Sequence, residues 1–364
     1  LNPSRSGRDG LLRLAFERRA QPHATNHAEG HVKERVDDHV TVLRHCRYTL
    51  PLQILSPLAL DDGTSYLLLL NPTGGVLGGD RLRVEISVGE NSSACLSTPS
   101  ATRVYRTSGP AAEIHTVLQV ARNATVEYLP DHVILHAGSA LRQSLRIDMQ
   151  PGSRGIFLDA FAAGRVTHNE LWRFREFDSR TEITLAGKLL YASRAKLTPA
   201  YPPTTSDSQL AISHSLPAEP PYHPPCTSHS PLPEKKLPPF RGSELQLRHY
   251  SSSAAGALAP EEPDLPWLAA HPSPNALHSP APYSASLLIV ADQFPDWRPV
   301  VASLRGELDA VPEVLGGVSA LSVSGCSVRY MANSAIALHE ATSRLWTTAR
   351  REVFNLPPLD LRKY

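Results

Sequence analysis

Leu82-Arg83-Val84-Glu85-Ile86-Ser87-Val88 alternates apolar and polar residues without a break. A period of two puts Leu82, Val84, Ile86 and Val88 on one face of a strand and Arg83, Glu85 and Ser87 on the other, which is the pattern of a half-buried β-strand. The rhythm returns at residues 94–98, 114–120, 125–129, 141–147, 155–158 and 182–185, and residues 11–18 supply one more candidate strand. Turn formers separate these segments, among them Gly89 to Asn91, Ser108 to Pro110 and Pro151-Gly152. Strands about 8–12 residues apart with no helical pattern between them predict a mainly β fold of stacked sheets, either a sandwich or a helix-like β body.

Proline divides the chain. Of its 33 prolines, 19 fall within residues 199–282, and the rest of the 364 residues has ordinary proline density. That stretch is also rich in serine and histidine and poor in β-branched residues. Its composition cannot bury enough apolar area to offset the entropy of ordering, so it is expected to be a disordered insertion. The resulting organisation has four parts. Residues 1–41 hold an N-terminal strand and an irregular segment, 42–198 the β-sheet body, 199–282 the insertion, and 283–364 a strand-helix element that closes the same domain. In that last part, 297–308 reads as a helix and 321–330 as a strand. Residues 334–353 read as a helix capped by Asn333, with Leu338, Ala341, Leu345, Ala349 and Val353 on one face.

Charge and cysteine content narrow the function. With 36 basic and 35 acidic side chains the formal net charge is +1, which disfavours a protein held to nucleic acid by phosphate neutralisation. No apolar run reaches membrane-spanning length, and the first residues lack the apolar middle of a secretory leader. Cys46, Cys95, Cys226 and Cys326 form no CxxC pair, so buried reduced thiols and a cytoplasmic location are expected.

Familiar catalytic signatures fail on inspection. The loop Asn71-Pro72-Thr73-Gly74-Gly75-Val76-Leu77-Gly78-Gly79-Asp80 is glycine-rich, but Asp80 and Arg81 stand where a phosphate loop needs Lys and then Ser or Thr. Val76 replaces the second glycine of a dinucleotide loop. The loop therefore reads as a tight corner capped by Asp80. Gly317-Val318-Ser319-Ala320-Leu321 lacks the last glycine of a nucleophile elbow, and His339-Glu340 lacks a second histidine four residues on. His132 and His136 flank a strand-like Val133 to Leu135, where four residues span about 13 Å, too far to share one metal.

Taken in order, Ser56-Pro57-Leu58, the glycine loop, Thr98-Pro99-Ser100-Ala101-Thr102-Arg103-Val104-Tyr105 and Glu127-Tyr128-Leu129-Pro130 are similar to the urease accessory protein UreD (UreH) family. Gly164-Arg165 followed by Glu170, and Val328-Arg329-Tyr330 before a final helix, continue the likeness. It covers residues 42–198 and 284–353.

The resemblance implies a non-enzymatic protein that binds apo-urease and UreF-type and UreG-type (GTPase) partners and helps deliver nickel(II), with no tightly bound cofactor. It also implies a passage for nickel, for which Asp80, Glu127, Asp159 and Glu170 are the candidate carboxylates and Arg165 the counter-charge. Each carboxylate has a structural alternative as a turn cap, a surface charge or an arginine's partner. Gly74, Gly75, Gly78, Gly79, Arg103, Tyr105, Pro130, Gly164 and Arg165 are the expected structural motif. Two other readings stand beside this one: an adaptor that holds partners without touching metal, and an unrecognised β-fold hydrolase.

Overall fold

A computed structural model of the chain describes residues 8–20, 39–199, 281–322 and 324–359. Residues 21–38 and 200–280, and with them nearly all of the proline-rich insertion, lie outside the described residues.

The polypeptide enters through β1 (Asp9–Ala20), β2 (His39–Tyr48), β3 (Gln53–Ile54), β4 (Leu58–Ala59), β5 (Ser65–Leu70) and β6 (Gly75–Val76). It then winds in coils, each adding a strand to two facing sheets. The first coil is β7 (Arg81–Val88), β8 (Ser93–Ser97) and β9 (Thr102–Val104); the second is β10 (Ala112–Val120), β11 (Thr125–Leu129) and β12 (Val133–Leu135). The third is β13 (Ala140–Met149) and β14 (Arg154–Ala162), after which β15 (Glu176–Leu185) and β16 (Lys188–Leu197) close one sheet. Successive coils pair in parallel, β7 with β10, β10 with β13 and β13 with β15 on one side, and β5, β8, β11 and β14 on the other. The stacked β body expected from the alternation is present, in a solenoid-like form.

Parallel register turns the alternation into rows of like residues. Leu14, Ile86, Leu118, Ile147 and Ile183 stand in line across five strands, and Phe16, Val88, Val120 and Met149 stand in the next row. All nine are almost fully buried. Each such side chain removed from water contributes roughly 1.5–3 kcal/mol. A third row, Leu82, Ile114, Gln143 and Ser179, begins apolar and ends in two polar residues.

The turns joining the two sheets repeat as well. Asn91 and Asn123 both adopt positive φ, at 56°, and Gly152 follows them at 76°. Asn123 Nδ2 donates to Asn91 Oδ1 at 3.4 Å. Glycine takes the positive φ at the third step, where a Cβ would lie 2.0 Å from Asn123 Oδ1 and displace that amide.

The C-terminal part completes the second sheet. Strand β17 (Tyr283–Ala291) pairs antiparallel with β14, and α1 (Trp297–Asp309), β18 (Val314–Ala320), β19 (Gly325–Ala332) and α2 (Ala335–Glu352) follow. The order β18-β19-β17-β14-β11-β8-β5-β3 places the helices against the sheet face turned away from the β body's core.

Three sequence expectations need correction. Ser334, in extended conformation, caps α2 by accepting from the Ala337 N–H at 3.1 Å, whereas the Asn333 N–H is engaged by the Glu313 carbonyl. The strand expected at 321–330 begins at Gly325, because Leu321 turns back to bond the Gly325 carbonyl. Strand β18 precedes that turn, hidden in the sequence by Gly316-Gly317. Of the described cysteines, Cys95 and Cys326 are buried but Cys46 is exposed.

Candidate functional site

Strand parity decides which candidate carboxylates face the space between the sheets. On β14, Phe157, Asp159 and Phe161 point into the core between the sheets, and Ile156, Leu158 and Ala160 point to the helices. Asp159 is thus a carboxyl between two core phenylalanines. Gln143 Nε2 donates to its Oδ1 at 2.9 Å and Ser179 Oγ to its Oδ2 at 2.8 Å, with a further bond from Gln143 to Ser179 at 3.1 Å. Gln143 and Ser179 are the polar members of the third row, so the coil register assembles the cluster. Burial pushes the Asp159 carboxyl above its ordinary value, against the pull of the hydrogen bonds from Ser179 and Gln143.

Asp159 also stands in the wall of two cavities. One, of about 310 Å³, is lined by Leu69, Pro72, Thr116, Tyr128, Pro130 and Gln143. The other, of about 460 Å³, lies between β16 and the strands β14, β17 and β19, and is lined by Thr181, Tyr191, Ser286 and Arg329 among others. Leu145, Asp159 and Ser179 belong to both.

The other three carboxylates are placed elsewhere. Glu127 has the opposite parity on β11 and points to the helices. There it accepts from Trp346 Nε1 and from Arg350 Nη1, and Arg350 also reaches Asp62 Oδ2 at 3.1 Å. Burial raises the Glu127 carboxyl, while Arg350 and Trp346 oppose that shift. Asp80 caps the glycine corner, accepting from the Leu77 N–H at 2.8 Å. Glu170 accepts from Arg165 Nε at 2.8 Å and Nη2, and from the Ala137 N–H at 3.3 Å; the Arg165 hydrogen bond holds it below its ordinary value. Arg165 therefore serves Glu170, and its counter-charge role extends to no other of the four carboxylates by a direct ion pair among the described residues.

The structural motif residues cluster around the third side of the coils. Strand β6 pairs Gly75 with Arg103 and Val76 with Val104, and the Tyr105 N–H donates to the Val76 carbonyl at 3.0 Å. Backbone passes so closely there that a Cβ on Gly75 would meet the Arg103 carbonyl oxygen at 2.3 Å. Gly74 and Gly79 take positive φ, and Gly78 lies against Thr107. Tyr105 packs edge-on against His136 at 5.2 Å. His132 and His136 flank β12 as expected, and His132 Nδ1 lies 2.9 Å from Asp131 Oδ1. Gly164 closes against the Glu170 carbonyl.

Among the described residues no three His, Cys, Asp or Glu side chains converge as a metal site, and no helix is long and apolar enough to cross a membrane. The sequence reading missed Gln143, Ser179 and Arg350. The first two were detectable as polar residues at inward parity, between Leu141 and Leu145 and between Phe177 and Thr181.

The comparisons with known proteins agree with this architecture. The family model described as UreD urease accessory protein matches residues 26–215 and 257–363. A urease accessory protein UreD from Delftia acidovorans is 38% identical over 133 residues, 36% of this chain and 44% of that protein. One from Haloarcula marismortui is 32% identical over 195 residues, 53% and 59% respectively, and one from Anaeromyxobacter sp. is 31% identical over 166, 46% and 56%. The chain thus spans about half the length of these curated relatives. With the family model matching well over half of its residues, the chain belongs to the UreD urease accessory protein family.

Proposed function

We propose that this protein is a non-enzymatic scaffold and metallochaperone component of urease maturation. In this reading it binds apo-urease together with UreF-type and UreG-type partners in the cytoplasm, and passes nickel(II) as cargo. The observation that supports it best is Asp159 in the shared wall of two cavities, bracketed by two neutral polar groups, Gln143 Nε2 and Ser179 Oγ. Nickel accepts oxygen and nitrogen ligands, and a relay needs contacts weak enough to release the ion. One carboxyl with two neutral neighbours suits a transient contact better than a closed coordination shell. Asp80, Glu127 and Glu170, each engaged in a local cap or ion pair, fit architectural roles in the same protein.

The experiment is co-expression of urease with its accessory proteins, with wild-type chain, without it, and with Asp159→Asn. Urease nickel, measured by elemental analysis at limiting nickel, should be lost without the chain and reduced by Asp159→Asn while the accessory complex still assembles. Full nickel loading with an intact Asp159→Asn complex would favour the adaptor that holds partners without touching metal.

A further inference from the structure

The larger cavity holds groups that a cation route does not use. Asp159 on β14 is the register partner of Ser286 on β17, and Ser286 is the register partner of Arg329 on β19. Antiparallel partners lie about 5 Å apart and present side chains to the same face. Arg329 therefore stands about 10 Å from Asp159, with Ser286 between them, and all three line the cavity. From the opposite sheet Tyr191 and Ser193, two residues apart on β16, reach the same space. Arg329 Nη2 donates to Tyr191 Oη at 3.0 Å and to Ser193 Oγ at 3.2 Å.

That arrangement has a polarity. A hydroxyl oxygen that accepts from a guanidinium still has its own proton to donate, so Arg329 makes donors of both hydroxyls. Ser286 Oγ is buried against the Tyr191 hydroxyl, which it supports by hydrogen bonding from the inner side. Arg194 lines the cavity too, but its charge is answered by Asp178 at 2.7 Å. Among the described residues no carboxylate forms an ion pair with Arg329, whose remaining N–H groups are open to a ligand.

We propose that the Arg329 guanidinium and the hydroxyls of Tyr191 and Ser193, with Ser286 behind Tyr191, form a binding site for a small free oxyanion of the carboxylate or sulfate kind. Charge-assisted bonds from a guanidinium are about twice as strong as neutral ones, and with Nη2 engaged by Tyr191 and Ser193 the groups left for the anion are Nε and Nη1. Arg329 is exposed, so a free anion reaches its guanidinium directly from solvent. A cation in the same place would face an unanswered positive charge. The site is independent of nickel transfer, since its groups lie on the far side of Ser286 from Asp159.

Isothermal titration of the full-length chain with sodium acetate and, separately, sodium sulfate, at ionic strength fixed with chloride, tests the site. At least one anion should bind saturably with one site per chain. Arg329→Gln should weaken it tenfold or more and Tyr191→Phe several-fold, both with unchanged far-ultraviolet circular dichroism. Arg44→Gln, a change at an exposed arginine elsewhere, should leave binding intact and so control for net charge. Absence of saturable binding to the wild-type chain, or equal binding by Arg329→Gln, overturns the proposal. Because neither urease nor nickel is present, the result is read separately from the nickel-transfer experiment.

Discussion

Arg350 of the final helix donates to Glu127 in the middle of the β body, across 223 positions of sequence, and each side chain is only 1% exposed. Arg350 also donates to the Pro357 carbonyl at 2.8 Å, and Arg154 beside it reaches the Phe354 carbonyl at 2.9 Å. Together these bonds fasten the end of the helical layer to the sheet.

Removing Glu127 should leave the buried Arg350 charge and Trp346 N–H without their buried acceptor, with Asp62 as the one carboxylate still on Arg350. Glu127→Ala is expected to cost about 3–5 kcal/mol, whereas the double change Glu127→Leu with Arg350→Met should recover most of that loss. Urea denaturation of the three proteins measures both.

Asp159 should make stability depend on pH in a definite direction. Its carboxyl is raised in the folded state, so its contribution is fully present below the ordinary carboxylate range and is lost as pH rises through the folded value. Asparagine does not titrate. Asp159→Asn should therefore melt at or above the wild-type temperature near neutral pH, with the gain fading toward about pH 4. A variant less stable at neutral pH than at acid pH, relative to wild type, would contradict the assignment.

At the glycine corner, backbone matters more than charge. Gly75→Val drives its side chain into the Arg103 carbonyl and the Tyr105 ring, and should give insoluble protein. Asp80→Asn retains an acceptor for the Leu77 N–H and should cost about 1 kcal/mol, leaving a soluble chain. Soluble yield and melting temperature separate the two outcomes.

The composition of residues 201–279 predicts that they are dispensable for folding. Deleting them should leave soluble protein with unchanged β-sheet circular dichroism. Aggregation of the deletion would assign the segment to the fold or to an interface.

The legibility of this chain followed its parity. Strands such as Arg81–Val88 bury one face and leave the other wet, so their alternation announced them. Strands β2 and β16 were silent because they are mostly exposed, with Arg44, His45 and Arg47 in one and Lys188, Arg194 and Lys196 in the other. Their pairing is imposed by the neighbouring strands. Asp159 was found through its motif, but its companions Gln143 and Ser179 became neighbours only through the register between coils. The Glu127 pair was hidden for a different reason: nothing local indicates that a helix will cover the outward face of β11 and bring Arg350 and Trp346 to it.

The repeated asparagine turn bears on where this protein can change length. From Val88 to Ser93, Val120 to Thr125 and Met149 to Arg154, the passage from one sheet to the other takes the same five-residue step in every coil. The return passages differ: Leu96 to Ile114, Tyr128 to Gln143 and Phe157 to Ser179 take 18, 15 and 22 residues. One flank of the molecule is a ruler and the other is elastic. A single residue inserted at Asn123 would shift the strands that follow by half a period and turn their core face outward, while the same insertion at Ser108 or Asn169, outside the strands, would only lengthen a loop. Length can therefore change in those return loops without disturbing the sheets, whereas the glycine corner, locked against β9, is as fixed as the asparagine turns.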